Sequence, residues 1–197
     1  MRRRHLILGC CCLVAQKVIA SAQQQLPEYF PAHVFSDRSD SDSFINQWYS
    51  KHLRAMQEPS LFPAQPGAEV YRFTWLRTFS NPMVFRLNVV KDGTASLAVK
   101  RANGKGGYEP GTIDLNETLA LNAETVAKLQ YELRRMDFWN KPARLKTIGM
   151  DGAQWIVEAN ANGNYKLVDR WTESDGDLQD WCRSLIALSG VEVGDVY

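Results

Sequence analysis

Apolar residues recur at helical spacing in one early stretch of this chain. Phe44, Ile45, Trp48, Tyr49, Leu53 and Met56 fall on one stripe, which predicts an amphipathic helix over about 43–57. Ser43 is placed to cap its first turn, because a serine oxygen accepts from a free backbone N–H. Residues 23–43 have no such period. Pro27, Pro31 and the Asp37-to-Ser43 run read as an extended, solvated lead. Asp40 and Asp42 sit there without the glycine and the twelfth-position glutamate of an EF-hand calcium loop. Pro59, Pro63 and Pro66 then break the chain before the main domain.

From residue 68 the period changes to two. Tyr71, Phe73, Trp75 and Phe79 share one face, with Arg72, Thr74 and Thr78 on the other. Asn81-Pro82 marks a turn, and Met83, Phe85, Leu87 and Val89 form a second apolar face opposite Arg86 and Asn88. Asp92-Gly93 marks another turn before Ala95, Leu97 and Val99. These runs predict a half-buried antiparallel meander. A tight Asp92-Gly93 turn would set Val89 against Ser96 and Leu87 against Ala98. Slipping by one pairs Val89 with Leu97 and Leu87 with Val99, which keeps apolar partners on one face. The expectation is therefore a three-residue Asp92-Gly93-Thr94 loop with a bulge, Gly93 taking positive φ.

Asn103 to Gly111 is glycine-rich, and Ile113, Leu115, Leu119 and Leu121 suggest a further, less regular strand. Asn122 can cap the next helix, whose buried stripe is Val126, Leu129, Leu133 and Met136. Residues 153–171 read as a second hairpin turning at Asn162-Gly163. A last helix opens at Ser174 with Asp177 in capping-box spacing, buries Leu178, Trp181, Cys182, Leu185 and Leu188, and ends at Gly190. The order is helix, strands, helix, hairpin, helix. It predicts an α+β fold: an antiparallel sheet, made of a meander plus a hairpin, covered by helices on one face and preceded by an N-terminal helix. The expected organisation is a leader at 1–22, a lead at 23–66, one α+β domain at 67–190 and a tail at 191–197.

The first residues change how composition is read. Arg2, Arg3 and Arg4, a short apolar run from Leu6 to Ala15, and Ala20-Ser21-Ala22 have the layout of a secretory signal peptide cut after Ala22. The apolar run is shorter than the ~20 residues a spanning helix needs. Ile7-Leu8-Gly9-Cys10 is a loose lipobox, so membrane attachment would require lipidation at Cys10, but too few apolar residues precede it for an ordinary signal core. The leader holds four of the 23 basic residues and none of the 22 acids, so beyond Ala22 the balance is 19 to 22, a net charge of about −3. That excludes the concentrated basic footprint of general nucleic-acid binding. Beyond the leader only Cys182 remains, so no internal disulfide forms; its apolar neighbours predict a buried, inert thiol.

Familiar catalytic motifs are absent. His33 and His52 lack zinc spacing, and there is no nucleophile elbow, phosphate loop or dinucleotide fingerprint. No cofactor or metal is expected. Three groups carry candidate chemistry. The loop Asn103-Gly104-Lys105-Gly106-Gly107-Tyr108 is either an anion loop or a connection with Tyr108 folded onto the core. Arg72, Arg86 and Lys100 share the non-core face of the meander, with Arg86 expected opposite Lys100. Such opposed like charges call for an acid from a covering segment, a bound anion or an acidic partner; otherwise they form a solvated face. Around the second hairpin, Glu158 and Asp169 are candidate catalytic carboxylates, and Trp155, Arg170 and Trp171 are candidate binding residues. The leading expectation is a non-enzymatic binding or inhibitor-like module of the bacterial periplasm, with a protein partner or an anionic ligand. The alternative is a cell-envelope hydrolase using the Glu158 and Asp169 pair.

Overall fold

The computed structural model describes residues 28–145, 149, 151–172 and 175–197. Its fold is α+β, as the patterning predicts. Six antiparallel strands form one sheet: β1 (Val70–Arg77), β2 (Met83–Val89), β3 (Ala95–Ala102), β4 (Ile113–Leu121), β5 (Ala153–Ala161) and β6 (Asn164–Trp171), in the spatial order β4-β3-β2-β1-β5-β6. The helices are α1 (Ser39–Ala55), α2 (Ala123–Arg135) and α3 (Gly176–Ser189), with a short 3-10 turn at Phe138–Asn140.

Alternation splits the sheet into two buried faces. On one, Tyr71, Phe73, Trp75, Phe85 and Leu87 pack against Val126, Leu129 and Leu133 of α2 and Leu178, Trp181 and Leu185 of α3. On the other, Leu76, Val84, Ile156 and Leu167 pack against Ile45, Tyr49, Leu53 and Met56 of α1, with Phe30 and Phe35 from the segment before it. The N-terminal helix thus forms a third layer on the sheet. The rings of Phe30, Phe35 and Tyr49 meet edge to face at 5.1–6.2 Å, a preferred aromatic geometry.

Several local expectations are corrected. Helix α1 starts at Ser39, not Ser43, and Arg38 at its N-cap makes no side-chain cap bond. The Asp37-to-Ser43 run is solvated at Asp37 to Asp40, but it is helical from Ser39 and is not an extended linker. Asp42 is buried and accepts from the backbone N–H groups of His33 (2.8 Å), Phe35 (2.8 Å) and Ser36 (3.1 Å), folding the lead onto the helix start. Phe79 lies beyond the end of β1 and is exposed rather than in the core.

The β2–β3 loop does have three residues and a bulge, but they are Lys91, Asp92 and Gly93. Val90 N–H donates to Thr94 O at 2.8 Å, Gly93 N–H to Val90 O at 2.9 Å, and Gly93 sits at φ +88°. Asp92 Oδ1 accepts from Thr94 N–H at 2.9 Å, which fixes Thr94 as the first residue after the loop. The register is Val89 with Ala95 and Leu87 with Leu97, two residues from the expected pairing. An even shift keeps every side chain on its expected face.

The second hairpin turns at Asn162 and Gly163, both at positive φ, the backbone a two-residue type I′ turn requires. Helix α2 is capped by Asn122, whose side chain accepts from Thr125 N–H. Helix α3 is capped by Asp175, whose side chain accepts from Leu178 N–H, and Gly190 ends it in the left-handed conformation. The expected cap, Ser174, lies outside the described residues, as does the leader with its proposed cut after Ala22.

Candidate functional site

Strand register lays charged residues in a row under α1. Arg72 is the cross-strand partner of Arg86 on one side and of Glu158 on the other. Arg86 faces Ala98 on β3, and Lys100 faces Val84, so the expected Arg86–Lys100 opposition does not occur. The opposed like charges are Arg72 and Arg86. Their compensation is Glu58, an acid from the covering segment. After α1, Gln57 at φ +52° turns the chain back, and Glu58 N–H donates to Leu53 O at 3.0 Å. Glu58 then points down between the cations. Its carboxylate lies 2.8 Å from Arg86 Nε, 2.9 Å from Lys100 Nζ and 3.7 Å from Arg72 Nη1.

Arg72 completes the cluster. Its Nε and Nη2 both donate to Glu158 Oε2, at 2.8 and 2.6 Å, and its Nη1 donates to Pro59 O at 2.5 Å. Tyr165 OH donates to Glu158 Oε1 at 2.9 Å. The side chains of Arg72, Glu58 and Glu158 are completely buried. Arg72, Arg86 and Lys100 are therefore an internal ion network, not a solvated face. Burial pushes the Glu158 carboxyl up while the Arg72 guanidinium and the Tyr165 hydroxyl hold it down.

Asp169 stands on the same sheet face, opposite Ile156. Its Oδ2 accepts from Tyr49 OH at 3.1 Å and lies 3.4 Å from Arg144 Nε, while Oδ1 is buried with no hydrogen-bond partner among the described residues. Burial raises this carboxyl from 3.8 to about 6, against the pull of Arg144. Glu158 and Asp169 are both buried on the sheet face that α1 covers.

The other candidates of the second hairpin are buried or half-buried. Trp155 is in the core, stacked on Phe73 at 5.2 Å, and its Nε1 donates to Tyr197 O at 3.2 Å. Arg170 is buried and donates to Asp175 (3.2 Å), Pro142 O (3.0 Å), Ala143 O (3.3 Å) and Asp169 O (2.8 Å). It ties the 142–143 segment to the cap of α3. Trp171 is half-buried against Gly149 and Gly152, where a β-carbon would collide with its indole.

The glycine-rich loop spends its donors internally. Gly104, Lys105, Gly106 and Gly107 N–H donate to Pro110, Glu109, Ser80 and Thr78 carbonyls at 2.8–3.2 Å, so these amides are not presented to an anion. Close packing explains Gly106, whose β-carbon would meet the Arg77 backbone at 2.5 Å. Tyr108 does not fold onto the core. It is 57% exposed beside Phe79, which is 52% exposed, with ring centroids 6.2 Å apart.

A second aromatic pair is tied to the same loop. Trp48 Nε1 donates to Gly106 O at 3.0 Å, which fixes α1 to the loop, and Phe44, 69% exposed, packs on Trp48 at 6.5 Å. Sequence patterning placed Phe44 and Phe79 on buried faces and gave Tyr108 either an anion loop or a place on the core, and so missed these exposed rings. One signal was present: from Phe44 to Leu53 the α1 stripe spans about 180° of the helix, wider than a single packing face requires. A groove of about 440 Å³ also runs between α2 and α3, lined by Glu124, Lys128, Leu129, Glu132, Ser184 and Leu188, none of them a sequence candidate.

Among the described residues, no three His, Cys, Asp or Glu side chains gather to hold a metal ion, and no helix is long and apolar enough to cross a membrane. The chain matches no family model and finds no relative among the curated proteins.

Proposed function

We propose that this chain is an exported, non-enzymatic binding module, inhibitor-like in mode, that acts in the bacterial periplasm after cleavage at Ala22. The observation that carries this reading is two aromatic pairs that reach solvent, Phe44 on the half-buried Trp48 and Tyr108 beside Phe79, the first tied to the glycine-rich loop through Gly106. Clustered aromatic side chains in reach of solvent are typical contact surfaces. Trp48 is fixed by its bond to the Gly106 carbonyl, so its ring carries little ordering cost on association. The sealed carboxylates give the hydrolase reading no comparable support, because neither Glu158 nor Asp169 is within reach of a polymer substrate.

The test is a pull-down from envelope extract with tagged protein beginning at residue 23, in wild type and a Phe79→Ser, Tyr108→Ser double variant. A stoichiometric partner lost in the variant, with its thermal midpoint unchanged, supports the reading. Turnover of an envelope polymer that disappears with Asp169→Asn would replace it with the hydrolase.

A further inference from the structure

The two edges of the sheet are treated differently. Beside β6, Asp169 N–H donates to Ala143 O at 2.7 Å, Arg144 bridges to Asp169, and Lys166 Nζ donates to Lys141 O at 2.5 Å, so the 141–145 segment covers that edge. Among the described residues, no segment outside the sheet pairs with strand β4. Among the described residues its only strand partner is β3. In an antiparallel strand the N–H and C=O groups of alternate residues point away from the neighbour, so about half of those of Ile113–Leu121 face outward.

The usual protections of an edge are shortness, lysine, proline or a central bulge. Strand β4 is nine residues long and has neither Lys nor Pro. Its one register irregularity lies near its start, opposite Arg101 and Ala102. It carries two acids. Asp114 is engaged by Arg101 at 3.0 Å. Glu117, at the centre, is exposed and has no ion pair among the described residues. Leu115, Leu119 and Leu121 lie on its face, half-buried against the α2–α3 core.

We propose that β4 is a docking edge for an extended segment of another protein. That segment adds as a seventh strand, sets a Lys or Arg against Glu117 and lays apolar residues beside Leu115 and Leu119. Backbone pairing supplies the affinity, and the alternate side chains supply the selectivity. Charge complementarity decides the occupant. Symmetric pairing of two copies about the strand centre would set Glu117 against Glu117, and directly opposed like charges are destabilising. A basic residue in that place is stabilising. This inference goes beyond the aromatic-pair reading and uses none of its residues.

The experiment uses two fluorescein-labelled peptides, acetyl-SVTLTKTLTVS-amide and its twin with Glu in place of Lys, titrated with the protein in fluorescence anisotropy. The lysine peptide is expected to bind roughly fivefold tighter than the glutamate peptide. Glu117→Gln should erase that preference and Glu117→Lys should reverse it, both at unchanged thermal midpoint. Amide exchange should slow along 113–121 on binding. Equal binding of the two peptides, binding by neither, or a preference that survives Glu117→Lys would overturn the proposal. So would a wild-type dimer in sedimentation that Glu117→Lys dissociates, because the edge would then belong to a second copy.

Discussion

Arg72 Nε and Nη2 converge on one oxygen of Glu158, at 2.8 and 2.6 Å, with neither side chain exposed to solvent. Removing one partner leaves the other as an uncompensated buried charge, which costs ~3–5 kcal/mol. Glu158→Gln or Arg72→Met is therefore expected to lower stability by about that much in urea unfolding. The Arg72→Met, Glu158→Leu double variant should recover most of the loss, because a buried pair contributes little over apolar residues of similar volume. Additive losses in the double variant would contradict the pairing.

Among the described residues, Glu58 is the acid that bridges Arg72, Arg86 and Lys100, on the strap that follows α1. Glu58→Gln should destabilise by ~2–4 kcal/mol, since three cations would then face Glu158 alone. Lys100→Met in that background should restore part of the loss while costing stability by itself. Chemical denaturation of the four proteins measures the coupling.

Two buried groups titrate with opposite sign. Asp169 holds its proton up to about pH 6 in the fold, against 3.8 in the unfolded chain, so its contribution is present at low pH and lost as pH rises from about 4 to 6. His52 is buried, and burial lowers it from 6.5 to about 4. The unfolded chain takes up this proton first, so stability is lost as pH falls from 6.5 towards 4. Asp169→Asn should gain most over wild type above pH 6, by ~3 kcal/mol at most. His52→Leu should gain most near pH 4. Urea midpoints of each variant minus wild type, taken from pH 4 to 7, read the two slopes directly.

Gly93 holds φ +88° at the close of the β2–β3 loop. A β-carbon there meets only Ala123, at an ordinary 3.6 Å, so strain rather than collision governs substitution. Gly93→Ala should cost ~1 kcal/mol, seen as a lower thermal midpoint with the sheet intact by circular dichroism.

Cys182 is buried on α3, and burial pushes its thiol well above its ordinary value. A thiol reagent at pH 8 should label it only at the rate of unfolding, because the thiolate is the reactive form. Labelling within the mixing time of a native sample would contradict its placement.

Much of the architecture was legible because it rests on local rules. Alternation separated Tyr71, Phe73 and Trp75 from Arg72 and Thr74, and these two sets do face opposite sides of the sheet. The Asn162-Gly163 turn, the Asn122 cap and the Gly190 stop each follow from backbone preferences of one or two residues. The candidate site was legible only as a set of residues. Polar residues on a strand signal water only when nothing covers that face, and whether α1 docks there depends on contacts between Tyr49 or Met56 and strands far along the chain.

The sequence by itself determined the fold class, the strands, the start of α2, the end of α3 and the face most strand residues take, since those follow from periods of 2 and 3.6 and from short-range capping. Only the tertiary structure decided that the polar face is sealed, that Glu58 stands between Arg72 and Arg86, and that Phe44, Phe79 and Tyr108 stay in reach of solvent. Charge and packing energies depend on distance in space and on what excludes water, and neither is set by separation along the chain.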